Sequence, residues 1–106
     1  MEYSLGIDVV HIPKFAEKIK DAMLLKRLFT DEELSFTQGS AETLAGMYAA
    51  KEAYFKAIKE IPSWHALEIG HEQNGAPYAR GLPQVKMSVS HDGEYAMAAV
   101  IISGER

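Results

Sequence analysis

Cysteine is absent from the 106 residues, which excludes disulfide frameworks, thiolate zinc sites and thiol nucleophiles together and agrees with a reducing compartment. Long apolar runs are missing as well. The longest, Tyr95 to Ile102, is far short of a bilayer span, and no charged-then-apolar leader follows Met1, so a cytoplasmic protein is expected. Basic charge is also in deficit: 11 Lys plus Arg stand against 15 Asp plus Glu, a net charge of −4 with neutral histidines. That balance suits neither a phosphate backbone nor an anionic lipid surface, so nucleic acid and membrane are not expected as main partners. No repeat, low-complexity tract or linker interrupts the chain. One domain over residues 1–106 is expected, small enough that association with further copies would help it.

The charge is unevenly placed. Residues 11–30 carry Lys14, Lys18, Lys20, Lys26 and Arg27 against Glu17 and Asp21, a local +3, which leaves −7 on the rest of the chain. Such a strip reads either as a solvated helix face or as a docking surface for an acidic partner, where complementary charge steers encounter and fixes orientation.

The pattern of residues predicts an α+β fold. Tyr3 to Ile7 reads as a short strand ending at Asp8, where the side chain leaves the sheet. Pro13 suits a first helical turn, and Phe15, Ile19, Met23 and Arg27 share an i, i+4 row, which predicts one helix over 13–28. Thr30 and Glu33 have capping-box spacing and predict a short helix over 31–37, broken by Gln38, Gly39 and Ser40. Glu42 to about Lys59 is the strongest helical stretch, with Pro62 beyond its end. Leu67 and Ile69 alternate with polar residues and lead into Asn74-Gly75, a type I′ hairpin signal, with Pro77 and Tyr78 beginning the return strand. Val85, Met87 and Val89 alternate with Lys86, Ser88 and Ser90, and after the Asp92-Gly93 turn the run Tyr95 to Ile102 forms a central or interface strand. The sum is one strand, a helical middle and two C-terminal antiparallel hairpins.

Three places could carry chemistry. Glu52 and Lys56 lie one turn apart on the long helix; they read as an ordinary i, i+4 ion pair, or as a carboxylate and an ammonium that hold a metal and a phosphate side by side. The second use needs another carboxylate, and Asp8 is the candidate. Two carboxylates without a thiol suit Mg²⁺, which keeps waters and substrate phosphates in its shell, and this points to a phosphate-bearing substrate. Ser88, Ser90 and His91 form the third group; neither serine sits in a nucleophile elbow, so they read as hydrogen-bond donors to phosphate or ribose oxygens. His11, His65 and His71 lie in no comparable setting, and Trp64 reads as a packing or interface aromatic.

In order along the chain stand Gly6-Ile7-Asp8, then Leu44-Ala-Gly-Met-Tyr-Ala-Ala-Lys51-Glu52-Ala-Tyr-Phe-Lys56-Ala57, then Val89-Ser90-His91. This ordered set resembles the holo-acyl-carrier-protein synthase family of 4′-phosphopantetheinyl transferases. Arg27-Leu-Phe-Thr30 followed by Asp-Glu-Glu33, Leu67-Glu-Ile with Asn74-Gly75-Ala-Pro77, and Glu94-Tyr95-Ala96 extend the resemblance nearly end to end.

The resemblance implies transfer of phosphopantetheine from coenzyme A to a serine of an apo-acyl carrier protein, with release of adenosine 3′,5′-bisphosphate, a place in fatty acid biosynthesis, and a homotrimer with active sites at subunit interfaces. It implies Mg²⁺ on Asp8 and Glu52, and Lys56 on the pyrophosphate. Asn74, Gly75, Pro77, Ser90 and His91 would lie near the coenzyme A nucleotide across an interface. Glu52, directly or through a metal-bound water, is the first candidate base and Asp8 the second. An acidic carrier would meet Lys14, Lys18, Lys26 and Arg27. Met47 stands where an arginine is usual, Lys59 where a glycine is usual, Lys14 where an arginine is common and Asp92 where a neutral residue is frequent. Lys59 is expected to restore the positive charge that Met47 lacks, and Asp92 to weaken a nearby phosphate. The segment between Lys59 and Leu67 is also shorter than usual. The competing readings are a non-catalytic relative that binds carrier or nucleotide without transfer and, last, an unrelated Mg²⁺-dependent phosphohydrolase.

Overall fold

The computed structural model describes residues 2–104. Strand β1 (Tyr3–His11) pairs antiparallel with β5 (Tyr95–Ser103), and β5 pairs antiparallel with β4 (Val85–Asp92), giving a three-stranded sheet in the order β1-β5-β4. Helices α1 (Ile12–Lys18), α2 (Ala22–Leu28), α3 (Asp31–Thr37) and α4 (Ala41–Ile58) fill the middle of the chain, followed by a 3₁₀ turn at Trp64–Ala66. The hairpin β2 (Ile69–His71) and β3 (Pro77–Ala79) stands apart as a two-stranded sheet. This is the expected α+β architecture. Among the described residues no helix is long and apolar enough to cross a membrane.

The core lies between α4 and one face of the sheet. Strand alternation turns Val10, Ala96, Ala98, Val100, Ile102 and Val85 inward, where they meet Leu44, Ala45, Ala49, Ala50, Ala53 and Ala57 of α4. Small residues on α4 let it lie close to the strands. At Gly6 the approach is tightest, since a Cβ there would sit 1.8 Å from the Ala53 carbonyl oxygen. The opposite face of the sheet is bare: Leu5, Ile7 and Val9 of β1 and Met97 and Ile101 of β5 are exposed, with Ile7 at 59%.

Three elements differ from expectation. β1 runs three residues past Asp8, because its ladder with β5 continues to the His11–Tyr95 pair. Asp8 therefore sits inside a strand and points to the α4 side, rather than leaving the sheet at a strand end. The helix expected over 13–28 is two helices. The Asp21 carboxylate accepts from the N–H groups of Met23 and Leu24 at 3.0 and 3.2 Å, so Asp21 caps a new helix instead of continuing the old one. Met23 and Arg27 consequently face solvent. The hairpin at Asn74-Gly75 forms, but a type I′ turn needs positive φ at both residues and only Gly75 has it, at 90°. The Gly75 N–H donates to the Glu72 carbonyl at 2.9 Å, and the Asn74 side chain accepts from the Ala76 N–H.

The capping box is present: Thr30 Oγ1 accepts from the Glu33 N–H, and Glu33 Oε1 accepts from the Thr30 N–H at 2.8 Å. Helix α4 stops before Pro62, at Lys59, which is left-handed with φ 59°. A side chain with a Cβ is disfavoured there, so Lys59→Gly should raise the unfolding free energy by about 1 kcal/mol, read as a higher urea midpoint at unchanged slope.

Candidate active site

The two-residue period of β1 places Gly6 and Asp8 on the α4 side, and the close approach at Gly6 brings α4 within reach of Asp8. Lys56 Nζ donates to Asp8 Oδ1 at 2.7 Å and to the Ile7 carbonyl at 3.3 Å. Lys56 thus pairs across the fold with Asp8 rather than with Glu52 one turn away. The Asp8 side chain is 11% exposed. Its bond and charge, with a smaller contribution from Glu52, hold the Lys56 ammonium above the ordinary lysine range against a weaker opposing effect of burial.

Asp8 and Glu52 line one cavity of about 210 Å³, together with His11, Lys14, Lys18 and Tyr48. Tyr48 lies one turn before Glu52 on α4 and lines the same cavity. Burial first, then the neighbouring Glu52 carboxylate and the charge of Asp8, push the Tyr48 phenol far above its usual pKa. Among the described residues no third His, Cys, Asp or Glu groups with others as a metal cluster. Two hard carboxylates suit a cation that fills most of its shell with water and phosphate oxygen, as Mg²⁺ does, and do not suit a closed zinc site.

Lys14 and Lys18 of α1 stand at the rim of this cavity, whereas Lys20 pairs with Glu17 at 2.9 Å. Lys26 and Arg27 are exposed on α2. The positive strip therefore spans two helices, and its first half borders the carboxylates.

A second cavity, about 190 Å³, lies between the start of α4, the β2–β3 hairpin and the end of β4. Gly75, Pro77 and His91 line it, with Glu42, Met47 and His71. His91 Nε2 is 3.4 Å from Glu42 Oε1. Asn74 stands in the adjoining turn. Ser90 is elsewhere: alternation turns it to the bare face, where it shares a shallow depression with Ile7, Ser88 and Met97. One copy of the chain therefore does not bring Ser90 and His91 together. Asp92, next along β4, is not among the walls of the cavity. Met47 is buried in its wall, while Lys59 lines a separate groove with Glu52 and Lys56. Twelve residues of helix separate Met47 from Lys59, about 18 Å, so Lys59 does not replace charge at Met47.

The fold also gives roles to residues without a role in the sequence. Lys51, beside Glu52 in the helical motif, is fully buried and pairs with fully buried Glu33 at 2.8 Å. Its remaining protons go to the carbonyls of Trp64 and Leu67 at 2.8 and 2.9 Å. Burial pushes the Lys51 pKa down, and Glu33 opposes the shift. His11 caps α1 by accepting from the Lys14 N–H, and its Nε2 meets Glu94 at 3.2 Å. His65 Nε2 lies 2.8 Å from the Lys26 carbonyl near the end of α2. His71 stacks on Phe36 with centroids 3.9 Å apart, and burial lowers its pKa. Trp64 packs on Tyr48 and Phe55. Tyr48 was legible in principle, since it stands four residues before Glu52.

A model of the 4′-phosphopantetheinyl transferase superfamily matches residues 4–100. A holo-acyl-carrier-protein synthase from Exiguobacterium sp. is 35% identical over 116 residues, covering 99% of this chain and 95% of its own. That of Anoxybacillus flavithermus is 38% identical over 115 residues, with 96% of each covered. Among solved structures, Helicobacter pylori holo-acyl-carrier-protein synthase in complex with coenzyme A superimposes with a TM-score of 0.85 at 26% identity, covering 93% of this chain and 99% of that one. The Bacillus anthracis synthase in complex with CoA (3′,5′-ADP) gives 0.79 at 31% identity, with coverages of 93% and 94%.

Proposed function

The chain belongs to the 4′-phosphopantetheinyl transferase superfamily, and we propose that it moves the 4′-phosphopantetheine group of coenzyme A onto a serine hydroxyl of an apo-acyl carrier protein in the cytoplasm. The whole chain is read as one transferase domain. The observation that carries this reading is the convergence of Asp8 with Glu52 and Lys56, from a strand and a helix, beside a cavity rimmed by Lys14 and Lys18.

The serine oxygen attacks the phosphorus that bears the pantetheine arm. The bond from that phosphorus to the bridging pyrophosphate oxygen breaks, and adenosine 3′,5′-bisphosphate departs with the electron pair. Asp8 and Glu52 would hold Mg²⁺, which when bound supplies positive charge to the pyrophosphate as that bond breaks. Lys56 leaves or shares its contact with Asp8 and adds an ammonium to the leaving oxygens, a form of stabilisation that grows with the developing charge. Glu52 takes the serine proton, with Asp8 as the second candidate. Lys14, Lys18, Lys26 and Arg27 receive the acidic carrier and present its serine to the adjacent carboxylates.

The nucleotide end of coenzyme A is assigned to the second cavity, against Gly75, Pro77, His91 and the Asn74 turn. Ser90 can join it only if another copy brings its cavity against the bare sheet face. That face, with Leu5, Ile7, Val9, Met97 and Ile101 exposed, is an apolar surface of the kind that marks association, and a homotrimer with shared active sites uses it. Light scattering should then give about three times the 11.7 kDa of one copy. Ile7→Glu should yield monomers with about 100-fold lower turnover; a trimeric and active Ile7→Glu protein would contradict the shared site.

The reaction is tested by following adenosine 3′,5′-bisphosphate with coenzyme A, Mg²⁺ and protein, with and without apo-carrier. Carrier-dependent release supports transfer. Release without carrier would mark a phosphohydrolase, and coenzyme A binding without release would mark a non-catalytic relative.

A further inference from the structure

We infer that the second cavity holds the nucleotide by its uncharged base and ribose and gives the 3′-phosphate no partner, so that 3′-dephospho-coenzyme A serves as donor as well as coenzyme A does. This rests on the proposed placement of the nucleotide end in that cavity and deepens it by naming the donor class.

Every residue that lines the cavity comes from one of three stretches, 29–50, 60–79 and 87–104, and none of these contains Lys or Arg. Glu42 is the one carboxylate among the walls, and its charge opposes an anion. Two histidines could supply positive charge. His91 Nε2 already faces Glu42 Oε1 at 3.4 Å, so a proton there makes a matched pair and no surplus. His71 is stacked flat on Phe36, and burial lowers its pKa. The rest of the lining is apolar or small, and Met47, Ile69, Pro77 and Val89 suit the faces of a planar base.

The basic groups that flank these stretches are committed elsewhere. Lys51 pairs with Glu33 inside the core at 2.8 Å, and Arg80 meets Glu68 at 3.4 Å. A second copy does not make up the deficit. The strands β1, β4 and β5, whose bare face would cover the cavity, hold one Lys or Arg between them, Lys86. It stands four strand residues from Ser90, about 13 Å along β4. A phosphate that meets a charged donor gains about tenfold to a hundredfold in affinity, and the cavity offers no such donor.

Loss of the 3′-phosphate leaves the chemistry intact. The serine oxygen attacks the same phosphorus and Glu52 takes its proton. The same bridging bond breaks, and adenosine 5′-monophosphate departs with the electron pair in place of the bisphosphate.

The two donors are compared on the parent protein at equal apo-carrier and Mg²⁺, with the carrier mass followed in time. The kcat/KM for 3′-dephospho-coenzyme A should lie within about fivefold of that for coenzyme A, and any larger preference for coenzyme A would overturn the inference. Glu42→Lys, at an exposed position in the first turn of α4, puts a cation at the cavity wall. It should favour coenzyme A over the dephospho donor by about tenfold. An unchanged donor ratio in Glu42→Lys would also overturn the inference, since the 3′-phosphate would then lie elsewhere. Transfer from neither donor would instead remove the proposed function, and this inference with it.

Discussion

Glu52→Gln should lower kcat/KM for phosphopantetheine transfer by about 10³-fold, equivalent to ~4 kcal/mol of transition-state stabilisation. Glutamine keeps the length and helix preference of glutamate, so α4 is preserved. What is lost is the negative charge that binds a cation and accepts the serine proton. Asp8→Asn should fall by a similar factor through the cation alone, and it also releases Lys56 from its 2.7 Å contact. The two variants separate the roles: if Glu52 is the base, Glu52→Gln stays slow at any Mg²⁺ concentration, whereas Asp8→Asn recovers in part as Mg²⁺ is raised. Near-parental turnover in Glu52→Gln at ordinary Mg²⁺ would remove Glu52 from the mechanism.

Lys51→Met should destabilise the fold by about 3–5 kcal/mol, because it leaves the Glu33 carboxylate buried with no opposite charge. It also strips the Trp64 and Leu67 carbonyls of their shared donor. Glu33 has little freedom to escape, since Oε1 accepts from the Thr30 N–H and Oε2 from the Ile69 N–H at 2.8 Å each. The pair ties α3, α4, the 3₁₀ turn and β2 together at one point. For a domain whose total stability is about 5–15 kcal/mol, such a loss brings unfolding within reach of ordinary temperatures. Urea denaturation reads it directly. The double variant Glu33→Gln with Lys51→Met should cost less than the two single losses added, because it removes both charges together. Additive losses would mean that the two charges do not interact.

The contrast between these two lysines explains what the sequence could disclose. Lys51 and Lys56 lie in the same helical stretch, and nothing local distinguishes them. Lys51 is buried because the preceding helix α3 folds back to bring Glu33 to it, a contact beyond the reach of local spacing; Lys56 is half-exposed and reaches β1. The Thr30–Glu33 capping box was legible because its bonds close within four residues, but the second use of Glu33 against Lys51 was not. Alternation in β4 was legible for the same local reason, and it placed Ser88 and Ser90 on one face and Val85 and Val89 on the other. The end of β1 was not, because it is set by the ladder to β5, some 90 residues away. Asp21 is ambiguous by nature, able to continue a helix or to cap a new one, and the fold selects the cap. Of the candidate site, Asp8, Glu52 and Lys56 were brought together as the motif order implied, and Gly75, Pro77 and His91 share a second cavity. Ser90 lies apart within one copy, because adjacent strand residues face opposite ways.

Mass spectrometry of an apo-acyl carrier protein incubated with coenzyme A, Mg²⁺ and this protein tests transfer most directly. A gain of about one phosphopantetheine mass on the carrier serine is predicted, abolished by chelation of Mg²⁺ and strongly slowed in Glu52→Gln. An unchanged carrier mass across several apo-carriers, with coenzyme A and Mg²⁺ in excess, would contradict it.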